Sequence, residues 1–252
     1  MLDAILWGLT QGLTEFLPIS SSGHLVLVPA VLGRDGPDLA TSAVLHLGTL
    51  AAVLLYFRAE VGQVLRLTTE GKQLLRLLVI GTIPAAVIGF TFLDGFEALN
   101  DNPTGVAITL IILGVGLYAT RWIRPGERAV DDSSNTDAVA MGFGQALALI
   151  PGVSRSGATI AVGMGRGFSR EQAARYSFLL GIPAIAGAGF FEFIELAREG
   201  GGITAATWVG MGVAAVSGYA AIALLLRLIG RVGLVPFGIY CVGFGTLALF
   251  LV

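Results

Sequence analysis

Ala138 to Ile150 and Ala158 to Met164 are two runs free of charged residues, and the turn joining them belongs to Pro151-Gly-Val-Ser-Arg-Ser-Gly-Ala-Thr159. Each run is too short to cross a bilayer, which takes about 20 apolar residues in a helix. A short apolar run, a turn rich in Gly, Ser and Pro, and a second short run together predict a re-entrant helical hairpin. Irregular backbone is tolerated at membrane depth only where protein buries it or water lines it. Arg155, permanently charged at such a tip, calls for an anionic partner, and ionisable groups at that depth are functional candidates by default.

The chain carries a second copy of this element. Shifted by 134 positions, Gly8 to Gly23 falls on Gly142 to Gly157, and six of sixteen positions agree, among them Gln11/Gln145, Ser20/Ser154 and Ser22/Ser156. Chance would give roughly one or two, so a duplicated unit is the better explanation. The copies differ where chemistry would divide. Ser21 stands opposite Arg155, Glu15 opposite Leu149, and His24 opposite Ala158. One tip is equipped to react, the other to hold an anion.

The rest of the chain supplies a membrane context. Hydrophobic residues make up 55% and charged residues 13%, with 36 glycines, which is the profile of an integral membrane protein whose helices pack closely. A net charge of -2 gives no reason to expect a nucleic-acid partner. The single Cys241 cannot form an internal disulfide and reads as a small packing or lipid-facing residue.

In order, Ala4 to Leu32 forms hairpin one, and Thr41 to Phe57 the first span. Arg58 to Lys72 is polar with apolar residues at helical spacing, as in an interfacial helix. Spans two and three are Leu74 to Leu93, with Pro84 expected to kink it, and Thr104 to Trp122, separated by an acidic loop over 94–103. Residues 124–137 link the halves, with Asp131 to Asp137 as the expected flexible part. Hairpin two follows. Spans four to six are Tyr176 to Leu196, Trp208 to Leu228 and Leu234 to Val252, with a glycine loop at 200–202. Trp7, Trp122 and Trp208 fall near predicted span ends, where interfacial tryptophans belong, and Glu192 near the end of span four reads as interfacial.

These elements predict an all-α integral membrane protein: a single domain with an inverted-topology repeat, six transmembrane helices and two re-entrant helical hairpins. Repeat one is 1–123, the linker 124–137, and repeat two 138–252. An odd number of crossings per half inverts the second copy. With both hairpins re-entrant, twelve of the 15 basic residues fall on one side, leaving Arg34 and Arg198 opposite and Arg155 within the membrane. By the positive-inside rule the twelve face the cytoplasm, so both termini are expected outside.

At the first tip, Gln11 and Glu15 share a helix face at i and i+4. With Ser20, Ser21, Ser22 and His24 they make a nucleophile-and-base set, the alternative being serines that merely cap the next helix. At the second, Ser154, Ser156 and Thr159 surround Arg155, and a helix begins near Gly157. Hydroxyls, a helix N-terminus and a guanidinium fork are the parts of a phosphate site. His46 and Gln145 could line the same cavity, although a lone polar residue on a membrane helix more often bonds a neighbouring helix.

Gln11-Gly-Leu-Thr-Glu15, Phe16-Leu-Pro-Ile-Ser-Ser-Ser-Gly-His24 and Pro151 to Thr159 closely resemble the bacitracin-resistance family of undecaprenyl pyrophosphate phosphatases, in motifs, order and span pattern. The resemblance implies a site formed by Gln11, Glu15, Ser21, His24, Ser154, Arg155, Ser156 and Thr159, to which Ser22 is added as a phosphate ligand. It also implies two re-entrant hairpins, a divalent cation such as Mg2+ or Ca2+, and a site open to the outer face of the plasma membrane. Some members have glutamate where this chain has Gln11, which leaves Glu15 as the carboxylate to hold the metal. The implied reaction converts a polyprenyl diphosphate to the monophosphate and inorganic phosphate. Ser21 is the expected nucleophile, with His24 or Glu15 as base, and attack by metal-bound water stays open. Expected partners are the lipid substrate and the bilayer, with a homodimer left open. The rival class is a lipid-phosphate flippase, since inverted repeats with broken elements are also the architecture of carriers.

Overall fold

A computed structural model describes residues 1–92, 95, 102–124, 126–199 and 203–252. Most of the acidic loop and the glycines at 200–202 lie outside the described residues. Among those described there are eleven α-helices, and the sole β pairing is an isolated bridge between Arg128 and Phe168. Hairpin one is α1 (Leu2–Phe16) and α2 (Ser21–Leu32). It is followed by α3 (Leu39–Tyr56), the short α4 (Arg58–Leu65), α5 (Thr69–Thr91) and α6 (Pro103–Ala119). Hairpin two is α7 (Asn135–Leu147) and α8 (Arg155–Gly165), followed by α9 (Arg170–Glu199), α10 (Ala205–Val232) and α11 (Val235–Leu251).

Helices α3, α5, α6 with its 3-10 extension, α9 and α10 are long and apolar enough to cross a membrane. At about 1.5 Å per residue, α11 is somewhat shorter than the hydrocarbon layer is thick. It nevertheless runs alongside α6 through most of its length, with Gly238 beside Gly114 and Gly245 beside Ala107 and Ile111. The protein is a multi-pass membrane protein. Helix starts follow local chemistry: Asp38, Thr68 and Asn102 each accept a hydrogen bond from the amide three residues on, satisfying a donor that the first turn cannot. Helix α5 continues unbroken through Pro84.

The two halves pack by equivalent rules. Gly8 on α1 lies against α10, where a Cβ would sit 2.5 Å from the Gly210 carbonyl oxygen; its repeat mate Gly142 on α7 lies against α5, where a Cβ would sit 2.4 Å from the Gly81 oxygen. Closest approach therefore needs glycine at the same position of both hairpins. The self-paired helices run antiparallel. In α6 and α11, residue 107 faces 245 while 114 faces 238. In α3 and α9, Ser42 reaches Glu192 while Phe57 meets Phe178. Antiparallel packing of equivalent helices is what an in-plane two-fold relation produces.

Two expectations are revised, and the reading of Cys241 narrows to packing. Trp7 is only 3% exposed, packed with Leu45 and Ala214, because α1 is enclosed by its neighbours rather than lying at an interface; Trp122 and Trp208 are exposed. Cys241 is fully buried, with its Sγ 3.9 Å from the Pro18 carbonyl oxygen, and so packs inside rather than facing lipid. The end of the linker is pinned rather than loose. Ser134 and Asp137 form a capping box, and the Asp137 carboxylate accepts from Arg128 at 2.7 Å and Arg166 at 2.8 Å. Burial alone would push that carboxyl up, but hydrogen bonds from Arg128, Ser134 and Arg166 hold it well below the usual carboxylate range.

Candidate active site

The two hairpin tips meet inside the bundle. Ser156 Oγ donates to the Leu17 carbonyl at 3.1 Å, and a Cβ at Gly157 would sit 3.4 Å from Pro18 across the junction. Each tip is a turn ending in a serine N-cap: Ser20 Oγ accepts from the Gly23 amide, and Ser154 Oγ from the Gly157 amide. The capping reading thus holds for Ser20, and Ser154 caps α8 in the same way. In both copies the residue after the cap is the first of its helix, which puts Ser21 and Arg155 at facing helix starts. The first amides of α2 and α8, lacking intrahelical acceptors, concentrate positive potential at the junction.

Ser20 differs from its mate. Its φ is 72° where Ser154 has -77°, so a non-glycine residue is held in the left-handed region, at a cost of about 1–3 kcal/mol. That backbone turn aims Ser21 at Glu15. Ser21 Oγ donates to Glu15 Oε2 at 2.6 Å, Gln11 Nε2 donates to the same oxygen at 3.1 Å, and Arg155 donates to Oε1 at 3.0 Å. Hydroxyl, carboxylate and guanidinium from both hairpins therefore form one buried cluster. The other terminal nitrogen, Nη1, makes only a long contact, 3.4 Å, to the Ser177 carbonyl, so most of the guanidinium's five N–H donors remain for an anion.

This cluster lies on a cavity of about 210 Å³. Of the residues singled out from sequence, Glu15, Ser21, Ser22, Ser154 and Arg155 line it, as do His46 and Gln145. The structure does not bring the others to its wall. Gln11 stands behind Glu15 and bonds it. Ser156 is tied to Leu17, and Thr159 Oγ1 bonds the Ser177 hydroxyl at 2.6 Å and the Arg155 carbonyl at 2.7 Å, so both brace α8. His24 is turned the opposite way. Its Nε2 meets Tyr240 OH at 2.8 Å, its Nδ1 meets the Ser20 carbonyl at 2.8 Å, and its ring stacks on Phe244. One helical turn beyond the reactive end, its side chain points toward α11.

Two features lay outside sequence reasoning. Glu192, the last residue of the span in α9, also bonds His46 Nδ1 at 2.9 Å and Ser42 Oγ at 3.1 Å, joining α9 to α3 beside the cavity. The sequence signal was a carboxylate and an imidazole in separate apolar spans, with nothing to pair them. Gly181 on α9 makes room for the guanidinium, since a Cβ there would fall 1.6 Å from an Arg155 guanidinium nitrogen. Gly181→Ala is expected to displace Arg155 from Glu15 and to cut turnover by at least about tenfold, a modest fraction of what misplacing a reacting group can cost. Turnover assays beside thermal melting in detergent check this; unchanged turnover would show that the guanidinium has another working position.

The donors present fit a cation that arrives with a phosphorylated ligand. Among the described residues no group of three or more His, Cys, Asp or Glu side chains is gathered to hold a metal alone. Glu15 offers one carboxylate, and the buried Oε1 of Gln11 has no partner in the protein. A hard cation bound through one carboxylate commonly takes its remaining ligands from phosphate oxygens and water.

An apolar groove of about 480 Å³ adjoins the cavity between α3, α4, α5 and α9. Its Ala86 and Pro183 are chain neighbours of the cavity's Ala85 and Ala184. Here the repeat symmetry breaks. Helices α3 and α10 pack closely, whereas the equivalent pair α9 and α5 touches sparsely, leaving a slot along the seam.

A family model described as bacitracin resistance protein BacA matches residues 4–247. The chain is 41% identical over 271 residues to undecaprenyl-diphosphatase 3 of Frankia alni, covering 96% of this chain and 91% of that one. It is 42% identical over 249 residues to the undecaprenyl-diphosphatase of Geobacter sulfurreducens (94% and 93% covered) and 42% over 253 residues to that of Hahella chejuensis (95% and 93%). With a family match across nearly its whole length and relatives of this identity, the chain belongs to the bacitracin resistance protein BacA family.

Proposed function

We propose that this protein hydrolyses undecaprenyl diphosphate to undecaprenyl phosphate and inorganic phosphate, returning the lipid carrier to cell-wall glycan synthesis and so conferring resistance to bacitracin. The observation that carries the reading is the contact of Ser21 with Glu15 beside Arg155, at the end of an apolar slot. The diphosphate sits in the cavity against Arg155, Ser22 and Ser154, and the prenyl chain leaves along the α5–α9 seam. A carrier would need the anion clamp but no hydroxyl resting on a carboxylate.

Ser21 Oγ attacks the terminal phosphorus, and its proton passes to Glu15. The bond from that phosphorus to the bridging oxygen breaks, and Glu15 returns the proton to the departing lipid monophosphate. Water then releases phosphate from Ser21. Arg155 and the amides opening α2 and α8 stabilise charge on the phosphoryl oxygens, the main source of catalysis in this reaction class. His24 holds the Ser20 carbonyl, and through it the backbone turn that aims Ser21. Glu15 would hold a divalent cation, with the unpartnered Gln11 Oε1 behind it as a further oxygen, and the cation would supply neutralisation of charge on the diphosphate. Phosphate release from the purified protein given a long-chain prenyl diphosphate, with and without chelator, tests the reading; substrate binding without any release would favour a carrier.

Residues 1–123 and 138–252 are the two inverted copies, joined by 124–137. The positive-inside rule, applied to the twelve basic residues that share one side, supports a cytoplasmic position for them and both termini outside, and the family resemblance supports a cavity mouth toward the extracytoplasmic face of the plasma membrane. Gly62 on α4 has open space around it, whereas Gly71 is crowded by Gln63. A cysteine at Gly62 is expected to resist impermeant thiol reagents in intact cells, with little background from the buried Cys241. Labelling at Gly62 in intact cells would reverse the orientation.

A further inference from the structure

We propose that Gln145 holds and orients the water that the reaction consumes; the proposal rests on the hydrolytic reading of the cavity. Gln145 is 3% exposed and lines the cavity together with Glu15, Ser21, Ser154 and Arg155. Neither its Nε2 nor its Oε1 has a hydrogen-bond partner in the protein. A buried side-chain amide with both ends unpaired is costly, and such groups in folded proteins call for a specific account.

The repeat explains how the amide is left over. Gln11, the matching residue of hairpin one, spends its Nε2 on Glu15 four residues along the helix. Four residues beyond Gln145 stands Leu149, which has no acceptor to offer. The same helical geometry that pairs one amide with a carboxylate leaves the other facing the cavity.

The chemistry of the amide selects the ligand. A phosphoryl oxygen only accepts, so phosphate alone satisfies Nε2 and leaves Oε1 unpaired. Water donating to Oε1, beside a phosphoryl oxygen accepting from Nε2, satisfies both atoms and sets the water next to phosphorus. Glu15 is the one carboxylate among the described residues lining the cavity, and it already accepts from Gln11, Ser21 and Arg155. Gln145 cannot take a proton. It positions the water while its oxygen bonds phosphorus, the bond from Ser21 Oγ to phosphorus breaks, and one water proton reaches Ser21 Oγ through Glu15.

The test uses the full-length protein in detergent with two variants. Gln145→Met keeps the bulk and removes both polar atoms, and Gln145→Glu keeps an acceptor but no donor. Binding of the lipid diphosphate, lipid monophosphate formed and inorganic phosphate released are measured on one preparation. Gln145→Met is expected to bind substrate with little change, to form about one lipid monophosphate per enzyme in a burst, and to release inorganic phosphate about 100-fold more slowly, the cost of a misplaced reactant. Phosphorylated Ser21 should accumulate in it. Gln145→Glu should bind the anionic substrate more weakly. If both products fall together while binding holds, and Ser21→Ala still turns over, the serine route is wrong and the role of Gln145 with water stands. Normal phosphate release in Gln145→Met, or a loss confined to substrate binding, would overturn the proposal. A wild-type protein that releases no phosphate would overturn the hydrolytic reading and the proposal with it.

Discussion

Arg155→Lys is expected to lower turnover by at least about 100-fold, comparable to removing one well-placed transition-state donor. The substitution isolates the fork from the charge. In the structure one guanidinium nitrogen bonds Glu15 at 3.0 Å while the rest of the group has few partners, so a lysine can keep the ion pair and the fold. What it cannot do is grip Glu15 and a phosphoryl group together, because an ammonium is a compact point charge without planar, divergent donors. Glu15 and Arg155 are both largely buried, with side chains 8% and 13% exposed, so removing the cation altogether would strand a carboxylate and confuse misfolding with lost chemistry. Steady-state phosphate release, with melting temperature as the control, measures the effect. Near-normal turnover in the lysine variant would move Arg155 away from the phosphoryl group.

Ser21→Ala is expected to abolish turnover while leaving diphosphate binding nearly intact. In the proposed mechanism the 2.6 Å contact of Ser21 Oγ with Glu15 Oε2 sets the nucleophile on its base, and alanine removes that path without touching Arg155. A hydroxyl that only donated to bound phosphate would behave differently: its loss would weaken binding by about 0.5–1.5 kcal/mol and leave substantial turnover. Single-turnover phosphate release beside equilibrium binding separates the two, and appreciable turnover in the alanine variant would put attack by water directly on the diphosphate in its place. His24→Ala also slows turnover in this scheme, but through Ser20, whose carbonyl it holds, because its ring nitrogens are engaged by Tyr240 and Ser20 on the side away from the cavity.

The architecture was legible because its signals are local. A helix too short to span, a turn of Gly, Ser and Pro, and a charge with apolar flanks are properties of neighbouring residues, and the hydrocarbon layer converts them directly into depth. The duplication was equally readable, since equal offsets need no coordinates, and it set Ser21 against Arg155 before any geometry was known. Chain order could not say which side of a helix end each polar residue faces once the helices are docked. Ser21 and His24 are three residues apart, yet one meets Glu15 and the other Tyr240, over two hundred residues away. The pairing of His46 with Glu192, the space that Gly181 leaves for a guanidinium, and the unpaired amide of Gln145 each depend on how α3, α7, α8 and α9 are rotated about their axes. That rotation is set by close packing at glycines such as Gly8 and Gly142 against distant backbone, a contact between segments that no local pattern encodes.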